Sequence, residues 1–484
     1  MRGLKRNPWL FGLGVLLAVL VVYGGHARAD VTTDQSGSII IFPRVVADGV
    51  RDTIIQIANT DNMQTNAHCV YINSVGTCSI TTALTCDVDG DCPSDGPSPE
   101  VCVHQCAETN FDIFLTGQQP TFWQVGTGRP NFDFSPGFSP GLVQPVPPPF
   151  VGELKCIQTD VSGAPIARNS LKGEAILFGL GQGFGVLSEY NAVGIRANGG
   201  AGGVLQLTGE SVCVGGTNDA NPCSTAVDCP GGTCTSVTTG YNACPAALYM
   251  NHSAEGATDS LTGTVSHTDL TLVPCTELLE QQVPTHADAS FRITDDMERS
   301  VSCTIPFDCA LNIPLGKTQI PYGCNFAAAA LGSDTLKTRI RPADGSICYT
   351  GDARCHICAA GDNDLLCLGQ PLGTVVGNCN CGSDADCPNF VFATNSGTCM
   401  PSAVIPAPAC TTSQDCPDPV GQTCTGAVSL GCRPWPGLLG VAEEFQAPNI
   451  PGLPPQVSRL LSGTAAVNLH MEGSRPGDVI VVAP

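Results

Sequence analysis

The chain of 484 residues carries 21 Lys and Arg against 43 Asp and Glu, for a formal net charge of −22, and it contains 28 Cys. Nucleic-acid binding needs a basic surface to replace phosphate counterions, so this acidity argues against a nucleic-acid partner. The 42% hydrophobic content is too high for a disordered acidic chain, and the 55 Gly and 38 Pro oppose long helices.

The amino terminus has the order of a secretory signal peptide. Arg2, Lys5 and Arg6 precede an apolar run over residues 9–23, which is followed by Ala-Arg-Ala at residues 27–29. An uncleaved anchor is the alternative, but the run is short for a hydrocarbon core of about 30 Å. The sequence predicts export to an extracellular or periplasmic location, with cell-surface association as an option and no membrane span after cleavage.

Short runs rich in apolar and β-branched residues, separated by turn residues, recur along the mature chain. The runs predicted as strands are 38–42, 53–58, 67–72, 111–116, 154–159, 174–178, 186–190, 204–208, 268–273, 289–294, 300–305, 336–340, 465–471 and 479–482. Helical signal is confined to 276–282 and 326–331. Short strands at this density predict an all-β fold: an antiparallel β-sandwich framework with disulfide-stapled, cysteine-rich loop insertions.

All 28 cysteines follow the predicted signal peptide, and an oxidising compartment favours disulfides between them. They concentrate in residues 78–106, 213–234 and 348–432, with five, four and twelve cysteines, and seven more lie in the framework. Because five and seven are odd, full pairing needs at least one bond between segments. Cys69 is the nearest framework partner in sequence for the first insert.

These clusters suggest a division of the chain into framework and inserts. The predicted segments are a signal peptide (1–29), N-terminal strands (30–77), an insert (78–106), framework (107–212), an insert (213–234), framework (235–347), a cysteine-rich repeat region (348–432) and C-terminal strands (433–484).

The spacing C-x5-C recurs five times, each time with Asp before the second cysteine. The copies read CDVDGDCP, CSTAVDCP, CTIPFDCA, CGSDADCP and CTTSQDCP. A unit this small cannot build a core and must be stapled, and Asp can accept hydrogen bonds from nearby backbone amides to fix the turn. The candidates for structural disulfides are Cys86, Cys92, Cys102, Cys213, Cys223, Cys229, Cys234, Cys381, Cys387, Cys399, Cys410, Cys416 and Cys424.

Two resemblances follow from these residues. The C-x5-C-P unit resembles the centre of whey-acidic-protein and Dickkopf-type cysteine modules, although the adjacent cysteine pair of the former is missing after Cys229 and Cys416. The segments FPRVV, DTIIQIANT, HCVY, NFDIFLTGQQPTFW, GELKCIQTD, NSLKGEA, YNACP and LTLVPCTE resemble a group of exported bacterial proteins over most of residues 38–280. The second resemblance implies secretion and no particular activity.

Three patterns imitate cofactor sites. Gly-Lys-Thr at residues 316–318 ends like a phosphate-binding loop, but Leu311 stands where the first Gly is required. The glycines of residues 179–185 do not fit the G-x-G-x-x-G spacing. Cys-His-Ile-Cys at residues 355–358 could ligate zinc, but the predicted compartment favours disulfides. The sequence therefore predicts no cofactor, with calcium as the one alternative.

Closely spaced carboxylates at Asp87, Asp89 and Asp91 are candidate ligands for calcium, a hard cation that binds six to eight oxygens. The twelve-residue loop pattern is incomplete because no Glu stands at its end. The favoured interpretation is a solvated acidic turn, and a calcium site is the alternative.

Other candidate residues have ordinary structural interpretations. His252 and His286 are predicted to be surface histidines in loops, and Trp123 and Trp435 are predicted to pack in the core rather than to stack on sugars. Catalytic carboxylates cannot be picked from 43 acids without geometry.

The favoured function is a secreted, disulfide-rich structural or adhesive surface protein, with an extracellular or cell-surface protein as its partner. One alternative is a protease inhibitor or ligand-binding module that uses the cysteine units as rigid loops. Another is a secreted hydrolase whose site forms only in three dimensions. No catalytic motif is found, so the sequence leans against an enzyme.

Overall fold

A computed structural model gives the fold of the chain. It describes residues 31–87, 89–93, 100–104, 106–129, 141–179, 187–197, 211–214, 230–236, 241, 244–275, 286–343, 437–448 and 463–473, with seven short strands between 346 and 434. The predicted signal peptide, the predicted strands at 204–208 and 479–482, the helical run at 276–282 and Trp435 lie outside these residues.

The amino-terminal part forms the first sandwich, which contains nine strands. A three-stranded unit that we call the first knuckle (residues 76–104) is inserted in the chain between two of these strands. In chain order the strands are β1 (Ile39–Ala47), β2 (Arg51–Asn59), β3 (Thr65–Asn73), β4 (Gly76–Cys78), β5 (Thr85–Cys86), β6 (Cys102–His104), β7 (Ala107–Leu115), β8 (Pro120–Gln124), β9 (Phe150–Thr159), β10 (Leu171–Gly179), β11 (Leu187–Asn191) and β12 (Val193–Ile195).

Two antiparallel sheets face each other in the first sandwich. Five strands follow the order β12-β1-β9-β3-β7, and four follow β11-β10-β2-β8. In β10 buried and more exposed residues alternate, because successive residues of a strand point to opposite faces. The inward side chains, among them Ile55, Ile57, Ala175 and Leu177, pack in a core that contains the buried Trp123.

Strand β1 is buried along its whole length, which explains why its sequence is an almost continuous apolar run. Ile40 and Phe42 belong to the core of the first sandwich, whereas Ile39 and Ile41 belong to a second apolar cluster. This second cluster, which we call the junction core, also contains Val273 from the carboxy-terminal part of the chain.

The rest of the described chain supplies the second sandwich and several short ladders. Its elements are β13 (Ser211–Val214), β14 (Thr233–Ser236), β15 (Ala247–Ser253), β16 (Thr264–Pro274), β17 (His286–Asp295), β18 (Ser300–Asp308), β19 (Leu311–Pro314), α1 (Gln319–Tyr322), α2 (Ala328–Leu331), β20 (Thr335–Pro342), β21 (Ser346–Thr350), β22 (Cys358–Ala360), β23 (Phe390–Phe392), β24 (Gly397–Met400), β25 (Ala409–Cys410), β26 (Thr423–Thr425), β27 (Leu430–Pro434), β28 (Leu438–Pro448), β29 (Gly463–Asn468) and β30 (His470–Glu472).

The second sandwich pairs a five-stranded sheet, β18-β17-β20-β15-β30, with a four-stranded sheet, β19-β16-β28-β29. Strand β20 alternates strictly between exposed and buried residues, and its Leu336 and Ile340 enter the core with Leu270, Phe291 and Phe326. Helices α1 and α2 are single turns beside this core. Among the described residues, no helix is long and apolar enough to cross a membrane.

The prediction of an all-β, antiparallel sandwich fold is confirmed. The predicted strands at 38–42, 53–58 and 67–72 coincide with the first part of β1 and with most of β2 and β3. Strands β8, β15 and β28 were not predicted. The most consequential is β28, because it lies in the middle of its sheet and carries two adjacent carboxylates, which hide the apolar alternation that a strand prediction needs.

Candidate functional site

The two sandwiches meet at a set of charged side chains that we call the junction cluster (Arg44, Asp48, Arg51, Asp269 and Glu443). Arg44 in β1 is 2% exposed and Glu443 in β28 is fully buried, and their side chains form a salt bridge of 2.8 Å. Asp269 in β16 lies 3.4 Å from the same guanidinium. Because an unpaired charge is costly to bury, these pairs fix the position of β1 against the second sandwich.

A break in strand pairing aims Arg44 at its partners. The register between β1 and β9 shifts between Phe42 and Val45, and such a bulge redirects the side chains within it. The Arg44 backbone N–H donates to the Tyr190 hydroxyl at 3.0 Å, and Nη1 of its side chain donates to Thr271 Oγ1 at 2.8 Å. The bulge therefore turns one residue of a buried strand toward the neighbouring sandwich.

Arg51 in β2 completes the cluster from the solvent side. Its guanidinium contacts Asp48 at 3.0 Å, Glu443 at 3.8 Å and Asp269 at 4.0 Å. Burial opposes its charge, yet these three carboxylates raise the pKa of Arg51 above its ordinary value. Two guanidinium groups thus share three carboxylates.

A cleft of about 240 Å³ opens beside the junction cluster. Three units contribute to its walls: the two sandwiches and the first knuckle. Its lining includes Arg51, Ser74, Cys86, Asp87, His104 and Asn312. Because polar groups from three units converge on one concavity, this cleft is the candidate functional site.

Two adjacent disulfides hold the first knuckle. Cys78 pairs with Cys92, and Cys86 pairs with Cys102, so the two cysteines of the C-x5-C spacing do not bond to each other. Gly76 lies so close that a Cβ in its place would overlap the Cys102 sulfur. The sulfurs of Cys78, Cys86 and Cys92 lie within 4.8 Å of one another, but as disulfides they are not thiolate ligands for a metal.

Two of the calcium candidates face a lysine of the second sandwich. Lys317 Nζ lies 2.9 Å from Asp87 Oδ2 and 3.2 Å from Asp91 Oδ1. Asp91 also accepts a hydrogen bond from the Asp87 backbone N–H, which is the turn-fixing role expected of this repeated Asp. Burial opposes the charge of Lys317, but the two carboxylates raise its pKa. Calcium binding by Asp87, Asp89 and Asp91 stays the alternative to a solvated acidic turn, and the Asp89 side chain lies outside the described residues.

A disulfide between segments ties the end of the first cysteine-rich insert (78–106) to the second sandwich. Cys106 bonds Cys309 across 203 residues of sequence. Cys69, the nearest candidate in sequence, bonds Cys156 within one sheet of the first sandwich. The cysteine count required a bond between segments, but sequence distance pointed to the wrong partner because the fold brings remote strands together.

The remaining disulfide candidates are described only in part. Cys213 lies opposite Cys234 in the β13–β14 ladder, and Cys399 lies opposite Cys424 in the β24–β26 ladder. The side chains of these four cysteines and of Cys410 lie outside the described residues. The description includes no part of Cys223, Cys229, Cys381, Cys387 and Cys416.

The first knuckle and the unit around β24 share one backbone plan. Their strand orders are β5-β4-β6 and β25-β24-β26, and both central strands contain Gly-Thr-Cys. In both, the Gly lies opposite the first cysteine of the C-x5-C spacing, and the Cys lies opposite the last cysteine of the unit. The repeated unit therefore begins one strand earlier than the spacing that revealed it.

The prediction for His252 is wrong, and the prediction for Trp123 is confirmed. His252 lies in β15 and is buried, with its Nε2 2.9 Å from Thr338 Oγ1 and its Nδ1 2.9 Å from the Ser253 carbonyl oxygen. Burial lowers the pKa of His252 to about 4. His286 begins β17, and its side chain lies outside the described residues.

Sequence reasoning missed the junction cluster. Its one local signal is Arg44 inside the apolar run of β1, since Arg is rarely buried unless it is paired. Its partners Asp269 and Glu443 lie 225 and 399 residues away in the chain. No spacing rule connects such distant residues.

No family model, curated protein or solved structure matches the chain.

Proposed function

We propose that the chain is a secreted, disulfide-rich structural protein with an adhesive role at a cell surface. The observation that carries the proposal is the junction between the sandwiches. Two domains of one chain normally move relative to each other unless their interface is large and apolar. Here an apolar junction core, a disulfide and buried ion pairs all cross it. A rigid two-sandwich unit suits a protein that bears load.

The disulfides and the amino terminus support export. Six disulfides lie in the described part of the chain, and bonds of this kind persist in oxidising compartments. The signal-like sequence and the resemblance to exported bacterial proteins support the same location.

An open groove of about 870 Å³ between the sandwiches supports the adhesive role. Its lining mixes polar and apolar side chains, and the polar ones include Thr32, Asp34, Glu189, Asn191, Asn468 and His470. Asn468 Oδ1 is buried and has no hydrogen-bond partner among the described residues. Amide, carboxylate and hydroxyl groups of this kind fit a polar, hydroxyl-rich partner such as a surface polysaccharide.

The test combines localisation with binding. Intact producing cells are labelled with an antibody against the chain, and the purified oxidised protein is added to cells that lack it. We expect surface labelling and saturable binding that the Glu189→Lys and Asp34→Lys double variant reduces at least fivefold. Asp296→Lys, at an exposed position of the second sandwich, is the matched charge-reversal control. A chain found in the cytosol, or binding that ignores the groove variant, would refute the proposal.

The cleft favours a ligand-binding module as the second candidate, because it offers charged groups of both signs from three units. The hydrolase alternative gains no such support. His68 Nδ1 lies 2.9 Å from Asp112, as in a catalytic dyad, but its Nε2 is buried without a hydrogen-bond partner in the described part of the chain. Among the described residues, no hydroxyl or thiol therefore lies within hydrogen-bond distance of that nitrogen.

A further inference from the structure

The disulfide Cys86–Cys102 lies beside a histidine at the candidate cleft. Cys86 and His104 both line the cleft, and Cys102 Sγ lies 3.6 Å from His104 Nε2. The other ring nitrogen, Nδ1, lies 2.7 Å from the Ser74 carbonyl oxygen. Because a carbonyl can only accept, Nδ1 carries a hydrogen, and Nε2 is held toward the sulfur.

Cys86 is only 5% exposed, but it lines the cleft, which the cysteines of two other disulfides do not. Cys69–Cys156 and Cys244–Cys275 are buried in apolar clusters, where an external thiol has no path to the sulfur. The cleft volume is several times the roughly 30 Å³ that one water molecule occupies in the liquid, so a small thiol fits beside Cys86.

We propose that Cys86–Cys102 is a site of thiol–disulfide exchange with low-molecular-weight thiols, which makes Cys86 a site of reversible S-thiolation. The thiolate of the small thiol attacks Cys86 Sγ and forms a new disulfide there. The Cys86–Cys102 bond breaks, and its electron pair leaves on Cys102 Sγ. Protonated His104 donates the Nε2 proton to this thiolate, so the sum converts one thiol and one disulfide into a mixed disulfide and one protein thiol.

His104 lies next to the sulfur that leaves in this reaction. A thiolate leaves faster when a cation stabilises it, and the imidazolium lies next to the leaving sulfur rather than the attacked one. The charged groups that face the same cleft are Arg44, Asp48, Arg51, Asp87 and Asp269. This activity is independent of the adhesive role, because the groove of that proposal has a different lining.

The test uses the full oxidised chain and L-cysteine as the probe. After short incubations between pH 5 and 8, free thiols are alkylated and located by peptide mass mapping, and rates are divided by the thiolate concentration of the probe. We expect Cys102 to be the first alkylated cysteine and Cys86 the first cysteinylated one. The normalised rate should fall from pH 5 to pH 8, because acid catalysis by a histidine needs the imidazolium form.

The variant His104→Asn isolates Nε2, because an Asn side-chain amide can still donate to the Ser74 carbonyl from the place of Nδ1. We expect a rate about tenfold lower at the acid end and a flat pH profile. His68→Asn is the control, because His68 is hydrogen-bonded to Asp112 and does not line the cleft. We expect this variant to keep the wild-type dependence of rate on pH. Equal reaction of Cys78–Cys92, or an unchanged profile in His104→Asn, overturns the proposal. If His104→Asn fails to fold, the wild-type order of labelling and pH profile still decide it.

Discussion

The two sandwiches have similar sheets but are stapled differently. In the first, Cys69–Cys156 joins the neighbouring strands β3 and β9 inside one sheet and closes a loop of 87 residues. In the second, Cys303–Cys324 joins the edge strand β18 to the segment after α1 and closes a loop of 21 residues. Since longer loops lose more entropy when closed, the first sandwich depends more on its disulfide.

The sandwiches also differ in the polar group that each buries beside its aromatic core. In the first, Trp123 Nε1 donates to the Tyr71 hydroxyl at 2.6 Å, and burial raises the pKa of Tyr71, so the pair stays neutral. In the second, the buried group is His252, beside Phe326, and its pKa is lowered. Acid should therefore act on the second sandwich first.

The largest expected effect concerns the staples. Replacing both Cys69 and Cys156 by Ala should lower the free energy of unfolding by about 4–5 kcal/mol, against about 3 kcal/mol for Cys303→Ala with Cys324→Ala. Urea denaturation of the oxidised proteins measures both. If removing Cys303–Cys324 lowers the free energy of unfolding as much as removing Cys69–Cys156, loop length does not explain the difference between the sandwiches.

The next effect concerns the junction between them. Arg44→Met leaves Glu443 buried without its closest cation, and breaking such a buried pair costs about 3–5 kcal/mol. Adding Glu443→Leu should recover part of this loss, because the remaining site is then more apolar. The control Lys172→Met removes an exposed cation of β10 and should change stability by less than about 0.5 kcal/mol. An effect equal to that of the control would show that the ion pair does not join the sandwiches.

The third prediction separates the sandwiches by pH. The pKa of His252 is about 4 in the fold and about 6.5 in an unfolded chain. Below pH 6.5 the unfolded chain therefore binds a proton that the folded chain does not. Stability should fall by about 3 kcal/mol as pH drops from 6.5 to 4. Urea midpoints at several pH values measure this loss.

The control for that prediction is His252→Gln, which lacks the titration. Other groups contribute at the acid end of the window, outside it or with the opposite sign. Hydrogen bonds from Thr81 and Ile80 lower the pKa of Glu100, so its stabilisation is lost near the acid end of the window, but equally in wild type and variant. Hydrogen bonds lower the pKa of Asp160 and Asp259, so their stabilisation is lost only below about pH 4. Burial raises the pKa of Glu444, which favours the fold as pH falls. Equal pH slopes in wild type and variant would remove His252 as the cause.

The hydrophobic pattern of the sequence predicted those strands whose burial is recorded in their own residues. The apolar run of β1 and the alternation of β10 identified strands because burial alone decides those residues. Strand β28 escaped prediction because Glu443, in its centre, is tolerated only beside Arg44, and no local pattern carries that contact. The Cys106–Cys309 bond is hidden for the same reason.

The smallest effect tests the neutral polar pair of the first sandwich. Tyr71→Phe removes the acceptor of the Trp123 N–H and leaves that donor buried, which should cost about 1–3 kcal/mol at every pH from 4 to 8. Thermal unfolding measures the loss, and Tyr249→Phe in β15, whose side chain is partly exposed, should change stability by less than about 0.5 kcal/mol. Because the pair has no charge to gain in this range, a loss that varies with pH would mean that Tyr71 is coupled to a titrating group. The contrast with His252 would then fail, since both sandwiches would respond to acid through their cores.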